Sequence, residues 1–136
     1  MNTELGLVDK MAYVAIIVIV FFLATCSGYA QTFATNETFG DNIAKDITVV
    51  EFWADWNKAN QFNDLSKLKQ CEKYRVDIMH CADLQAEYNI TAIPTIIIFD
   101  NGIEKERFIP NIMFQLEADK KIIQNSVDTI TLNKFQ

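Results

Sequence analysis

Ile47-Thr48-Val49-Val50-Glu51-Phe52-Trp53-Ala54-Asp55-Trp56-Asn57-Lys58-Ala59-Asn60 is the stretch on which the fold of this chain turns. Residues 47–53 are dominated by β-branched and aromatic side chains, the composition of a buried strand. Past Trp56 the pattern changes. Phe62, Leu65 and Leu68 recur at a spacing near one helical turn with lysines between them, which predicts a helix over residues 57–70. Asn57 stands where that helix would begin, and asparagine is among the best N-cap residues because its side-chain oxygen accepts the unpaired N–H groups of the first turn.

Outward from this unit the chain alternates. Residues 31–46 are a polar lead-in with one short helix near residues 39–45. Downstream, residues 73–79 read as a second strand and 82–89 as a short helix. Thr95-Ile96-Ile97-Ile98-Phe99 is a near-continuous apolar run, as a central strand covered on both faces requires. Asp100-Asn101-Gly102 marks a hairpin turn, since Asn and Gly tolerate positive φ, and residues 103–108 pair back antiparallel. Leu116, Ile122, Ile123, Val127 and Ile130 predict a closing helix over residues 114–132. The order β, α, β, α, β, β, α implies an α/β fold: parallel crossovers, an antiparallel edge, and a central mixed sheet flanked by helices.

At 136 residues with a net charge of −6, the chain fits one domain and carries no basic cluster, so nucleic acid is not an expected partner. The N-terminus is read separately. No charged residue occurs from Met11 to Ala30, and small residues at Gly28 and Ala30 suit a signal peptidase cutting before Gln31. Residues 1–30 are therefore expected to be an export signal or a membrane anchor, and residues 31–136 the folded domain. Three readings stand: a cleaved signal, a retained anchor of roughly 20 apolar residues, or a lipid-modified Cys26 after Leu23-Ala24-Thr25. Each places the domain outside the cytoplasm, periplasmic or anchored facing outward.

Two motifs now carry a resemblance. Val50-Glu51-Phe52-Trp53-Ala54-Asp55-Trp56, and Tyr88-Asn89-Ile90-Thr91-Ala92-Ile93-Pro94-Thr95 followed by the apolar strand and the Asn101-Gly102 turn, resemble the thioredoxin family over about residues 43–132. The resemblance implies a thioredoxin-like fold with a cis proline at Pro94 beside the redox site. It also implies an active pair, Cys-Gly-Pro-Cys, directly after Trp56. This chain has Asn57-Lys58-Ala59-Asn60 there. Disulfide exchange needs an attacking thiolate and a resolving thiol, and an amide supplies neither.

The remaining candidates follow. Glu51 sits where the family keeps a buried acid serving the second cysteine. With no cysteine to serve, it is expected either to hold a raised pKa from burial or to pair with a neighbour such as Arg75. Cys71 and Cys81 flank a strand whose length separates them by more than about 20 Å, too far for a disulfide. At least Cys71 is expected to be covered. His80 beside Cys81 and near Asp83 lacks the spacing of a metal site and reads as exposed or capping. The helix after Trp56 looks about two turns shorter than the family's, and Pro110 stands where the family has a groove-lining glycine.

The expectation is a non-catalytic binding or scaffold domain. It would hold a protein or extended peptide in a groove of Trp53, Trp56, Ile93, Pro94 and Thr95, without metal or cofactor, touching a membrane only through residues 11–30. Two alternatives stand beside it: a weak thiol-disulfide oxidoreductase working through Cys71 or Cys81, and a small structural subunit of a membrane complex.

Overall fold

The computed structural model describes residues 6–24 and 32–136. The proposed cleavage point before Gln31 and the lipid-accepting Cys26 lie outside the described residues. The chain divides into two units, Met1–Ala30 and Gln31–Gln136. The first contains helix α1 (Leu7–Ala24). Among the described residues, no helix is long and apolar enough to cross a membrane.

The second unit is built on four strands, β1 (Ile47–Trp53), β2 (Glu72–Asp77), β3 (Thr95–Asp100) and β4 (Ile103–Phe108), in the spatial order β2-β1-β3-β4. β1 runs parallel to β2, and β3 is antiparallel to both β1 and β4. The sheet is mixed, as the sequence implied, but only the β1–β2 connection is a parallel crossover. β3 comes back through the middle in the opposite direction.

Strand alternation sorts the core into two layers. Val50, Phe52, Ile97 and Phe99 face α2 (Phe39–Ile43) and α3 (Ala82–Glu87), where Phe39, Tyr88 and Phe99 pack edge-on. Val49, Ile96 and Ile98 face the other way, against Phe62, Leu65, Leu68 and the Ile123 and Val127 ridge of α4 (Lys120–Asn133). The Asn101-Gly102 turn takes φ of 49° and 83°. Gly102 N–H donates to Ile43 O at 2.7 Å, tying the turn to the end of α2.

Three sequence expectations are corrected. The helix expected over 57–70 does not form; two 3-10 turns replace it, Asp55–Asn60 and Leu65–Lys67. The physical reason is tertiary. Phe62, Leu65 and Leu68 are separated by three residues each, and all three are buried. Of the three only Leu65 lies in a 3-10 turn, and the hold of Glu51 and Arg75 on the Phe62 N–H and O fixes the path of the segment. The closing helix begins at Lys120, six residues later than expected, because Asp119 Oδ1 accepts the Ile122 N–H at 2.9 Å and caps it there. The lead-in, finally, is not loose. Phe33 makes a parallel bridge to Arg75, with Ala34 N–H donating to Arg75 O at 2.9 Å and Arg75 N–H to Thr32 O at 3.0 Å.

Candidate functional site

The end of β1 delivers Trp53, Ala54, Asp55 and Trp56 to one rim of the sheet, and the Ile93–Pro94 peptide, which is cis, enters β3 from the same rim. Asn57 lies between them. Its side chain caps no helix: at φ −112°, ψ 26° Asn57 is the kink at which two short turns of the Asp55–Asn60 segment meet, and its side chain is buried. Its Nδ2 donates to Ile93 O at 3.0 Å and to Phe114 O at 3.2 Å, while its Oδ1 accepts from Asn60 Nδ2 at 2.8 Å. Both amide hydrogens are used. The reverse amide orientation would set an oxygen against two carbonyl oxygens, so the network fixes it.

Glu51, on the opposite side of β1 from Phe52, is fully buried. Its Oε2 accepts from Arg75 Nε at 2.7 Å and lies 2.7 Å from Arg75 Nη2, and its Oε1 accepts the Phe62 N–H at 2.7 Å. Arg75 Nη2 also donates to Phe62 O at 3.3 Å. The ion pair therefore clamps both main-chain groups of Phe62 and anchors the 3-10 segment that takes the place of a helix. Burial raises the Glu51 pKa above its ordinary value, and the Arg75 guanidinium and Phe62 N–H oppose that rise.

The expected groove residues separate. Trp53, Ile93, Pro94 and Thr95 are buried, Thr95 Oγ1 donating to Ala92 O at 2.7 Å. Trp56 alone stands out, 61% exposed. Its ring meets Phe114 edge to face, centroids 5.7 Å apart. The exposed apolar surface beside it belongs to residues 109–118, through Ile109, Ile112, Met113 and Phe114, and not to the strand ends. Trp53 Nε1 has no hydrogen-bond partner among the described residues. Its indole packs edge-on with Phe33 and lies under the Arg75 guanidinium.

Phe114 is the residue that sequence reasoning missed, because the apolar pattern places it in the closing helix. The Asp119-Lys120-Lys121-Ile122 cap signal would have released it. Residues 109–118 instead form a compact turn. Pro110 bridges Leu116, Asn111 N–H donates to Gln115 O at 2.9 Å, and Asn111 Oδ1 accepts from Met113 and Gln115 N–H.

The cysteine sulfurs of the described residues are elsewhere. Cys71 and Cys81 are both free. Cys71 is half-buried, and burial pushes its thiol up to about 11. Cys81 is buried under the lead-in, its Sγ 3.9 Å from Ala34 O. His80 is exposed with Nδ1 2.9 Å from Asp77 Oδ2. Among the described residues, no cluster of His, Cys, Asp and Glu is arranged to hold a metal ion.

Comparison with known proteins places this geometry in context. A family model described as Thioredoxin matches residues 30–114. A thioredoxin of Mycoplasma genitalium is 36% identical over 78 residues, spanning 48% of this chain and 71% of that protein. A thioredoxin of Mycoplasma pneumoniae is 30% identical over 80 residues, spanning 54% and 76%. Among solved structures, a point-mutant thioredoxin from Halobacterium salinarum superimposes with a TM-score of 0.61 at 18% identity, covering 77% of this chain and 94% of that one. At that identity the likeness is one of fold.

Proposed function

The chain belongs to the thioredoxin family, and from that premise we propose that it is a binding member of the family that does no dithiol chemistry. The single observation behind this reading is the Asn57–Asn60 hydrogen bond, 2.8 Å long, at the position where the family's dithiol would sit beside the cis proline. A carboxamide has no ionisable proton near neutral pH and cannot form the mixed disulfide on which exchange depends. The site keeps other features of a recognition surface. It has an exposed tryptophan, an apolar turn next to it and, beneath the Asn57 amide, the main-chain carbonyl of Ile93. An extended chain pairing with main-chain groups there, its side chains against Trp56, is the mode of binding that suits this surface.

The family kinship favours a second reading, a thiol oxidoreductase working through Cys71 or Cys81. Against it stand the raised Cys71 pKa and the burial of Cys81. The deciding experiment is turnover of a disulfide-bonded protein such as insulin with dithiothreitol as the reductant, comparing this protein with a Cys71→Ser, Cys81→Ser variant. The expected result is no turnover above the uncatalysed rate in either. Catalysis lost in the variant would establish the oxidoreductase instead.

The proposal includes delivery outside the cytoplasm, supported by the uncharged run from Met11 to Ala30. N-terminal sequencing of the natural protein checks it: a mature start at Gln31 is expected for a cleaved signal, and an intact start with the protein found in the cytosol refutes it.

A further inference from the structure

We propose that residues 109–118 are a strap that gates the site and that Asn57 is its latch, an inference that rests on the peptide-binding reading above. The strap is internally tied by the Pro110–Leu116 bridge and the hydrogen bonds around Asn111, so it is a unit in itself. At its base, Leu116 and Ala118 pack against the core layer under α4. At its tip, two ties reach the rest of the domain among the described residues: Asn57 Nδ2 to Phe114 O, and the edge-to-face contact of Phe114 with Trp56.

The tip is held in a costly conformation. Phe114 has φ of 57°, the left-handed region, where a bulky side chain is a true outlier. Such conformations persist only where surrounding contacts impose them, and they gather at clamps and switches. Inside the strap, Phe114 N–H donates to Asn111 O at 3.0 Å and Gln115 N–H to Asn111 Oδ1 at 3.1 Å; outside it, Phe114 is held by Asn57 and Trp56, and those two contacts can be released. Asn57 uses its two hydrogens on two carbonyls at once, Ile93 O beside the cis proline and Phe114 O on the strap. One side chain therefore occupies the Ile93 carbonyl and holds the tip of the strap against Trp56, which stays largely exposed. An incoming extended chain that takes Ile93 O must displace the Asn57 amide, and the displaced amide no longer holds Phe114. The strap, its internal turn intact, is then free to swing away from Trp56 as a unit, bringing Ile109, Ile112 and Met113, already exposed, within reach of the bound chain. Occupancy and opening are coupled through one carboxamide.

The test uses the full chain and the acrylamide quenching of tryptophan. Trp53 is buried, so the quenchable signal belongs to Trp56. Phe114→Ala, which removes the ring in contact with Trp56, sets the open limit. Asn57→Ala is expected to move the quenching constant at least halfway from the parental value to that limit. Asn60→Ala, at a half-buried position that only orients the Asn57 amide, is expected to move it less and in the same direction, and it serves if Asn57→Ala does not fold. Folded variants that quench like the parent overturn the latch. A second arm measures binding of a permanently unfolded, carboxymethylated protein chain. Because a closed site lowers apparent affinity by its open fraction, Asn57→Ala is expected to bind at least tenfold tighter than the parent. Equal affinity in both overturns the gate. If the quenching shifts but no chain binds to either protein, the latch stands and the peptide-binding reading falls.

Discussion

Asn60 Nδ2 donates to Asn57 Oδ1 at 2.8 Å across three residues of a 3-10 turn, so the two side chains already face one another over the distance a short crosslink would span. An i, i+3 pair in a 3-10 turn keeps its Cα atoms within the roughly 4.4–6.8 Å window that a disulfide needs. The double substitution Asn57→Cys, Asn60→Cys is expected to oxidise to an intramolecular disulfide in air. Because position 57 lies inside a 3-10 turn and not at the start of an α-helix, the new thiol lacks most of the dipole that lowers a thiol pKa. Slow exchange is the expected outcome, read as a thiol titration close to the free-cysteine range. A folded double variant that never forms the bond would show that these positions do not occupy the dithiol site.

Breaking the buried pair is a separate matter. Arg75→Met leaves the Glu51 carboxylate with a single N–H donor in a fully buried position. A loss of about 3–5 kcal/mol is expected from chemical denaturation, together with loosening of residues 61–69, whose backbone the pair clamps at Phe62. A change below about 1 kcal/mol would mean that the clamp contributes little.

The same carboxyl sets a pH dependence. Burial lifts the folded pKa of Glu51 above its ordinary 4.5. A group held more basic in the folded state than in the unfolded one adds stability below its unfolded pKa and loses it as pH rises through the folded value. The parent is therefore expected to lose stability relative to Glu51→Gln as pH climbs from about 4.5 toward neutrality. Denaturation curves for both proteins across that range check it, and a gap moving in the opposite direction would reverse the assigned sign.

Cys71 gives a kinetic prediction. With its thiol near 11, it carries roughly two orders of magnitude less thiolate at pH 8 than a free cysteine. Alkylation of the native protein by iodoacetamide is expected to be slower than that of glutathione by about that factor, and to approach it after unfolding. Native reaction as fast as glutathione's would reopen thiol chemistry at this position.

Leu65 checks the origin of the 3-10 segment. It is fully buried though it stands on a short turn between strands. Leu65→Ala is expected to cost about 2–5 kcal/mol, the figure for a core leucine. Asp119→Ala, which removes only the cap of α4, is expected to cost about 1 kcal/mol. The two measured by one thermal melt series should rank in that order.

How much of this is legible in the sequence follows from where the information resides. β1 and β3 are plain because a strand buried on both faces admits few polar residues, and those it does hold are bonded: Glu51 to Arg75, Thr48 to Asn42 O and Thr95 to Ala92 O. The turn after β3 is equally plain, since Asn-Gly suits its two positive φ angles. The segment after Trp56 misleads because apolar residues three positions from one another satisfy an α-helix and a 3-10 helix alike over so short a span, and tertiary contacts with Glu51 and Arg75 make the choice. In the site, positions 57, 60 and 93–95 stand out by residue type. Phe114 does not: it enters through a main-chain carbonyl, which every residue possesses, and so carries no signature of its own. The burial of Trp53, Ile93, Pro94 and Thr95 is hidden for a related reason. Apolar side chains suit a groove and a core equally.

The arm at Thr32 and Ala34 has a mechanical consequence. Any tension arriving from the segment ahead of the domain enters through the two hydrogen bonds that join this arm to Arg75. Those bonds lie at the outer margin of β2, where they can break in succession while the four-stranded sheet behind them stays intact. Pulled away, the arm would take Phe33 off the Trp53 indole and Ala34 off the Cys81 sulfur, wetting the flank of Arg75 next to the carboxylate it neutralises. A seam thus runs along the domain's entry point, from the hydrogen bonds of the arm to the buried charge pair.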